Sequence, residues 1–210
     1  LSENTSITFC AADNFFTHIG TQDIAVALSG KLKCAAVSIM KISNDLRWMN
    51  SGPISGLSEI KLKALQPGSS IMPGKINPVI PEAVLMAAAQ VTGNHSTINL
   101  SCISGAFQLN TMLPVIAHNV IESFNILITS VISITETLDT LTVNHISIKE
   151  SLDRNPIIAT KLNEVVGYDK AAKIVKEAYK TNKPILEVAE SMTELSKAQL
   201  QKLLDPKKLV

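Results

Sequence analysis

Apolar residues recur through the first third of the chain at alternating spacings of four and three: Leu28, Leu32, Ala35, Ile39, Ile42, Leu46 and Met49. That is the heptad period of helices lying nearly parallel in a bundle. It predicts a helix from about Gln22 to a stop before Ser51-Gly52-Pro53. A second series is unbroken over nine positions: Leu113, Ala117, Val120, Phe124, Leu127, Val131, Ile134, Leu138 and Leu141. Pro114 falls in its first turn, where a missing N–H costs nothing. Between the two, about Val79 to Ile103, apolar residues occupy almost every side, with Ala83 to Ala89 followed by Val91. That segment predicts a helix buried all round, whose small residues admit close neighbours and whose coverage implies a subunit interface. Helices of this length reach about 40 Å.

After about Asn144 the pattern changes to short, charged amphipathic segments. One helix is predicted from Tyr168 to about Tyr179 and another from Pro184. Ser196 with Gln199 three residues later forms a capping-box signature for a third, which Asp205-Pro206 ends. The fold class is therefore all-α. Residues 1–143 form a long-helix bundle region carrying a loop at 66–78, and 144–210 form a small helical domain.

Composition narrows this picture. Of 210 residues, 46% are hydrophobic but only 4% aromatic, which suits aliphatic packing between helices. A formal charge of +1 gives no electrostatic case for nucleic acid or an anionic membrane, and Lys207-Lys208 is too short to be a basic patch. No uninterrupted apolar run reaches about 18 residues, so no membrane span is expected, and no signal-peptide pattern is present. Cys10, Cys34 and Cys102 lack zinc-site spacing; reduced, mostly buried thiols in a cytoplasmic or organelle-matrix protein are expected. The chain opens at Leu1 without methionine, and a missing N-terminal part is expected.

The candidate chemistry lies in Gly68-Ser69-Ser70-Ile71-Met72-Pro73-Gly74-Lys75-Ile76-Asn77-Pro78. Glycines let successive amides converge on one point and form an anion-binding nest. Lys75 adds a positive charge, while Asn77 and the serines add neutral donors. A plain structural reading stands beside this one: a surface loop, with Asn77 as helix N-cap and Pro78 at the first helical position.

In order and composition these eleven residues resemble the signature of the fumarase/aspartase superfamily. Ile42-Ser43-Asn44-Asp45-Leu46-Arg47-Trp48, Gly93-Asn94-His95, Gly105-Ala106-Phe107-Gln108-Leu109-Asn110 and Gly167-Tyr168-Asp169-Lys170-Ala171-Ala172 resemble further family stretches. From about residue 9 onward the chain is similar to the C-terminal part of class II fumarate hydratases. The resemblance implies reversible hydration of fumarate to malate, a step of the tricarboxylic acid cycle, by a homotetramer in the cytoplasm or mitochondrial matrix. It implies Ser69 as catalytic base, with Ser70, Lys75 and Asn77 holding the substrate carboxylates. No cofactor or metal is implied.

Glu82 has two readings: it orients a catalytic histidine, as its family counterpart does, or it is an acid favourable to the helix dipole. His95, His118 and His145 read as core histidines, Asn110 and Thr111 as caps of the third long helix, and Asp45 with Arg47 near Trp48 as an ion-pair cluster. The Lys170, Lys173 and Lys176 face reads as solvated.

Two departures accompany the resemblance. The family's N-terminal half, with its catalytic histidine and further substrate contacts, has no counterpart here, and the family builds each site from three chains. At the turn before the loop the family has Ser-Gly-Pro-Arg-x-Gly, whereas this chain has Ile54 in place of the arginine. Residues Asn14-Phe15-Phe16-Thr17 also depart from it. Three functional readings follow: a fumarase portion needing its N-terminal complement, an aspartate ammonia-lyase, or a non-catalytic truncated helical module that still oligomerises. Alanine is usual in the second class at the position of Gly74, which favours the first.

Overall fold

The computed structural model of the chain describes residues 1–209, and its contacts group them into two units. The first comprises Leu1–Asn50 and Leu62–Thr142. It opens with two short helices, α1 (Ser2–Thr5) and α2 (Phe15–Gly20). Three long helices follow: α3 (Asp23–Met49), α4 (Val79–Ile103) and α5 (Leu113–Thr140). The long helices agree with the periodicity to within two residues at each end, because a heptad sustained over several turns leaves little freedom in placing a helix.

The faces they cover differ from the expected seams. On α3 the buried residues are Ser29, Ala36, Ser43 and Leu46, seven apart for the first three, while Leu28 and Ile42 of the apolar series are exposed. On α4, Val84, Ala88, Val91, Asn94, Ile98 and Ser101 face inward, but Met86 is 68% exposed and Leu100 67%. The expectation that α4 is buried all round is therefore corrected for the single chain: one stripe is covered and the opposite one is open. On α5, Ile116, Ser123, Leu127, Ser130 and Ile134 are buried. Small side chains on all three stripes let the backbones approach. Ala36, Ala88, Val91 and Leu127 form the bundle's central cluster.

Most hydroxyls and amides on these stripes are satisfied within the helices or across them, though the buried Ser43 Oγ has no partner among the described residues. Ser123 and Ser130 donate to the carbonyls four residues back. Asn94 Nδ2 donates to Glu122 Oε2 at 2.8 Å and to Ser123 Oγ at 3.2 Å. Such polar pairings inside an apolar seam fix its register at some cost in burial energy.

By length and mean hydropathy (1.5 over 18 residues) α5 is long and apolar enough to cross a membrane. The uninterrupted-run criterion missed this because polar residues such as Asn119, Ser123 and Thr129 dilute the run without lowering the average much. Packing against α3 and α4 covers one stripe of α5, and the rest of its apolar surface is open in the single chain.

The second unit comprises Ser51–Lys61 and the residues from Val143 onward. Its strand β1 (Ile60–Lys61) pairs with β2 (Thr142–Val143). Asn144 draws the 51–61 segment in, its amide N donating to Glu59 O at 2.8 Å and its Nδ2 to Ser58 O at 2.8 Å. Short helices follow: α6 (His145–Arg154), a 3-10 turn over Pro156–Leu162, α7 (Asn163–Val166), α8 (Tyr168–Thr181), α9 (Ile185–Met192) and α10 (Lys197–Leu203). The Ser196–Gln199 capping box is formed in both directions. Leu162, Ile174, Ile185, Ala189 and Leu200 are fully buried at this unit's centre. Ile54 belongs to this unit and is 93% exposed.

Several expectations about single residues are corrected. Cys10 and Cys34 are exposed and only Cys102 is partly shielded, since all three lie off the covered stripes. His118 and His145 are exposed rather than core residues. Asp45 pairs with Lys41 one turn back, not with Arg47. At the start of α5 the cap is Met112. Asn110 is 1% exposed and serves that end differently, accepting from Met112 N–H at 2.8 Å and donating to Ser101 O at 3.0 Å.

Candidate functional site

The loop between Gln66 and Pro78 is a ring with a pinned neck. Gly68 N–H donates to Lys75 O at 2.9 Å, and Asn77 Nδ2 donates to Gly68 O at 3.0 Å. The neck is too narrow for a side chain: a Cβ on Gly68 would stand 2.4 Å from Lys75 O. Inside the ring Lys75 N–H donates to Met72 O at 3.3 Å. Gly74 has φ +79°, a left-handed conformation that strains any other L-residue, though nothing lies within 4 Å of where its Cβ would be.

Ser69 sits just inside the neck, half-buried. Its Oγ accepts N–H bonds from Ile71 at 3.2 Å and Met72 at 3.3 Å. Two amides directed at one oxygen form a small nest of positive potential. Donors of this kind favour the deprotonated form of the group they surround. The same two bonds also rigidify the turn locally, as serine hydroxyls do in many loops.

Ser70 and Lys75 are exposed on the ring, and neither side chain has a hydrogen bond or ion pair among the described residues. A cavity of about 360 Å³ lies against the loop, lined by Leu65, Gln66, Ser69, Met72 and Lys75 among others. The structure thus brings Ser69, Lys75 and the neck residue Asn77 into one turn and leaves Ser70's hydroxyl and the Lys75 ammonium free. A deeper groove of about 280 Å³ lies beside the loop's base, between Leu62, Leu65, Pro78, Ser133 and Thr137. Its lining is mixed, with Lys63, Asn77, Glu136 and Thr140 beside the aliphatic residues.

Asn77 is not the N-cap of α4. That position is Pro78, whose ring has no acceptor for a side-chain capping bond; the Asn77 Nδ2 donates instead to Gly68 O. Glu82 lies in the first turn of α4, half-buried, and its carboxylate has no hydrogen bond or ion pair among the described residues. Its place in the first turn suits the helix-dipole reading, and no histidine among the described residues pairs with it.

The histidine that the sequence assigned to the core, His95, is wired. Its Nδ1 lies 2.8 Å from Ser29 Oγ, which also donates to Val26 O, and its Nε2 lies 3.2 Å from Asn99 Nδ2. With the Ser29 proton committed to Val26, the ring donates through Nδ1 and accepts at Nε2, the neutral tautomer. Burial and the nearby Lys33 charge hold its pKa below the usual histidine value. Among the described residues no group of three or more His, Cys, Asp or Glu side chains could hold a metal ion.

In sequence and overall fold the chain matches known proteins. A lyase family model matches residues 1–93, and a model of the fumarase C C-terminus matches residues 158–210. The chain belongs to the fumarase/aspartase superfamily of lyases. Within it, the chain corresponds to the C-terminal portion of class II fumarate hydratases. It is 52% identical over all its 210 residues to fumarate hydratase class II 2 of Pseudomonas aeruginosa, covering 46% of that protein. It is 51% identical over 207 residues to the class II enzyme of Xylella fastidiosa strain 9a5c, covering 44% of it. Among solved structures, a cobalt-bound fumarate lyase:delta crystallin of Brucella melitensis superposes with a TM-score of 0.91 at 40% identity, over 99% of this chain and 45% of that one. The chain spans a little under half the length of the curated relatives it matches.

Proposed function

We propose that the chain supplies the base-bearing loop to a fumarase-type active site, which catalyses the reversible hydration of fumarate to malate and is completed by the family's N-terminal part. The observation that carries this reading is the position of Ser69 Oγ at the focus of the Ile71 and Met72 amides. A serine hydroxyl in water is far too weak a base to take a carbon-bound proton. Charge-stabilising amides lower that barrier by favouring the alkoxide.

In the dehydration direction Ser69 Oγ removes the proton at C3 of malate. The electron pair spreads into the adjacent carboxylate as a dianionic aci-carboxylate. Collapse of that dianion forms the C2–C3 double bond and expels the C2 hydroxyl, which leaves as water with a proton from an acid outside this chain. Charge grows on the carboxylate during proton removal, so cationic and donor groups placed there speed the step. The unpaired Lys75 ammonium and the Ser70 hydroxyl have that role, and Asn77 belongs to the same cradle. Glu82, unpaired here, is available to orient a histidine supplied by the complement.

Two observations support fumarate hydratase over an ammonia-lyase. Each of the two curated relatives above is a class II fumarate hydratase. Gly74 at φ +79° occupies a conformation that the alanine usual in the other class would hold only with strain.

The open apolar stripes of the bundle suit burial against other copies. Met86 and Leu100 on α4, and Ile121, Ile128 and Ile132 on α5, are all more than half exposed. Exposed apolar side chains in such number mark an interaction surface, and a homotetramer with a many-helix core accounts for them.

The test is to mix the chain with the N-terminal part of the Pseudomonas aeruginosa relative and follow fumarate absorbance, with light scattering on the same sample. Hydratase activity in a tetramer-sized complex is the expected result, abolished by Ser69→Ala. Absence of hydration at every mixing ratio in a well-formed complex leaves only a non-catalytic assembly module.

A further inference from the structure

Asn77 makes a contact that a pure substrate ligand does not need. Its Nδ2 holds Gly68 O at 3.0 Å while Gly68 N–H holds Lys75 O at 2.9 Å. The two bonds grip the two peptide planes that meet at Gly68. The plane held by Asn77 contains the Gly68 carbonyl and the amide nitrogen of Ser69. Its tilt therefore fixes the N–Cα bond of Ser69, from which the side chain branches.

We propose that Asn77 is a positioning residue: a latch that closes the loop's neck and aims the Ser69 hydroxyl through the Gly68 carbonyl. The latch itself stands on the geometry alone; only its catalytic consequence rests on the fumarase reading above.

Two further observations support the latch. Residues 70–76 are all exposed, whereas Asn77 and Gly68 are half-buried, so their bond lies at the shielded base of the ring, where water competes less for it. Asn77 is also tied to a rigid element. Its carbonyl accepts the N–H of Val79, the first residue of α4, at 2.9 Å. The latch thus fastens a flexible ring to the end of a 25-residue helix, and the nest around Ser69 Oγ is held in shape before any substrate arrives. Preorganisation of this kind acts on the chemical step more than on ground-state binding.

Hydrogen exchange of the purified chain without substrate, read by mass spectrometry over the loop and α4, tests this. Asn77→Ala removes the donor, and Asn77→Asp replaces it with an acceptor of the same shape. Both are expected to speed exchange of the loop amides about five-fold, the equivalent of losing one hydrogen bond of about 1 kcal/mol, with α4 amides near Val91 unchanged. Unchanged loop exchange in the two variants overturns the latch and leaves Asn77 a substrate ligand. Faster exchange in α4 as well as the loop, in both variants, also overturns it, because Asn77 then supports the helix.

In the complemented enzyme the latch predicts a kcat about ten-fold lower or more, with KM within about three-fold. A raised KM at constant kcat overturns the positioning role. A complex that hydrates no fumarate even with Asn77 intact counts against the fumarase reading alone, since the exchange experiment still decides the latch.

Discussion

Replacing Gly68 with alanine puts the loop's geometry to its sharpest test. The added Cβ would stand 2.4 Å from Lys75 O and 2.8 Å from Lys75 C. Both are main-chain atoms, so no rotamer change relieves the collision. An ordinary carbon–oxygen contact requires the two strands of the neck to part by about 1 Å. Parting by that amount stretches the Gly68 N–H···O=C Lys75 bond from 2.9 Å beyond hydrogen-bonding range and pulls Gly68 O away from Asn77. Two net hydrogen bonds at about 1 kcal/mol each amount to about 2 kcal/mol, close to a thirty-fold shift toward the open neck. Hydrogen exchange over the loop should accelerate by about that factor in Gly68→Ala. Gly74→Ala is the control: its Cβ meets nothing within 4 Å, and only the φ of +79° is strained, by roughly 1–2 kcal/mol. Its Gly68 amide should therefore stay closer to the wild-type rate. Wild-type exchange in Gly68→Ala, or an effect no larger than that of Gly74→Ala, refutes the argument that close approach at the neck is what requires glycine there.

Two further outcomes follow from the bundle. Asn110→Ala leaves the Met112 amide without its acceptor and the buried Ser101 carbonyl with only the Ser104 N–H and should cost about 1–3 kcal/mol in urea unfolding; a loss under about 0.5 kcal/mol contradicts the assigned role. His95 has a folded-state pKa below the unfolded value of 6.5. The unfolded chain therefore binds more protons in that window, and stability rises with pH. The contribution of His95 is complete above about pH 6.5 and declines as pH falls from there through the depressed folded value. His95→Gln should flatten this segment of the stability–pH curve, and an unaltered curve in the variant removes His95 as its source.

Much of the fold is legible along the chain because it is local. Sustained heptads place α3 and α5, an all-round apolar segment places α4, and Ser196 with Gln199 announces α10 through bonds only three residues apart. The ring from Gly68 to Pro78 is legible for a similar reason: glycines, prolines and a lysine in one short run permit few backbone paths. Its internal wiring is less so. Asn77 beside Pro78 has the local pattern of an N-cap, yet the cap position is Pro78 and the Asn77 Nδ2 reaches Gly68, nine residues back. His118 and His145 look like His95 in sequence, but only His95 has a Ser29 opposite it, 66 positions away.

By itself the sequence determined which segments are helices, where the ring lies and which lyase superfamily the chain belongs to, because those properties depend on neighbours within a turn or two. Only the tertiary structure decided which stripe of each helix is covered. Leu28, Ile42 and Phe124 fit a seam by period as well as Ser29, Ser43 and Ser123 do, yet the serines are the buried set. A period gives the pitch of an apolar face but not the direction in which its partner lies. Small side chains share the inner stripe with Leu46, Ile98, Leu127 and Ile134 because close helix approach there gains contact along the whole length, and Leu28, Ile42 and Phe124 are left on the open faces. The same holds at the ring: its composition promised an anion cradle, and only contacts across the neck showed which atoms close it and where they direct Ser69.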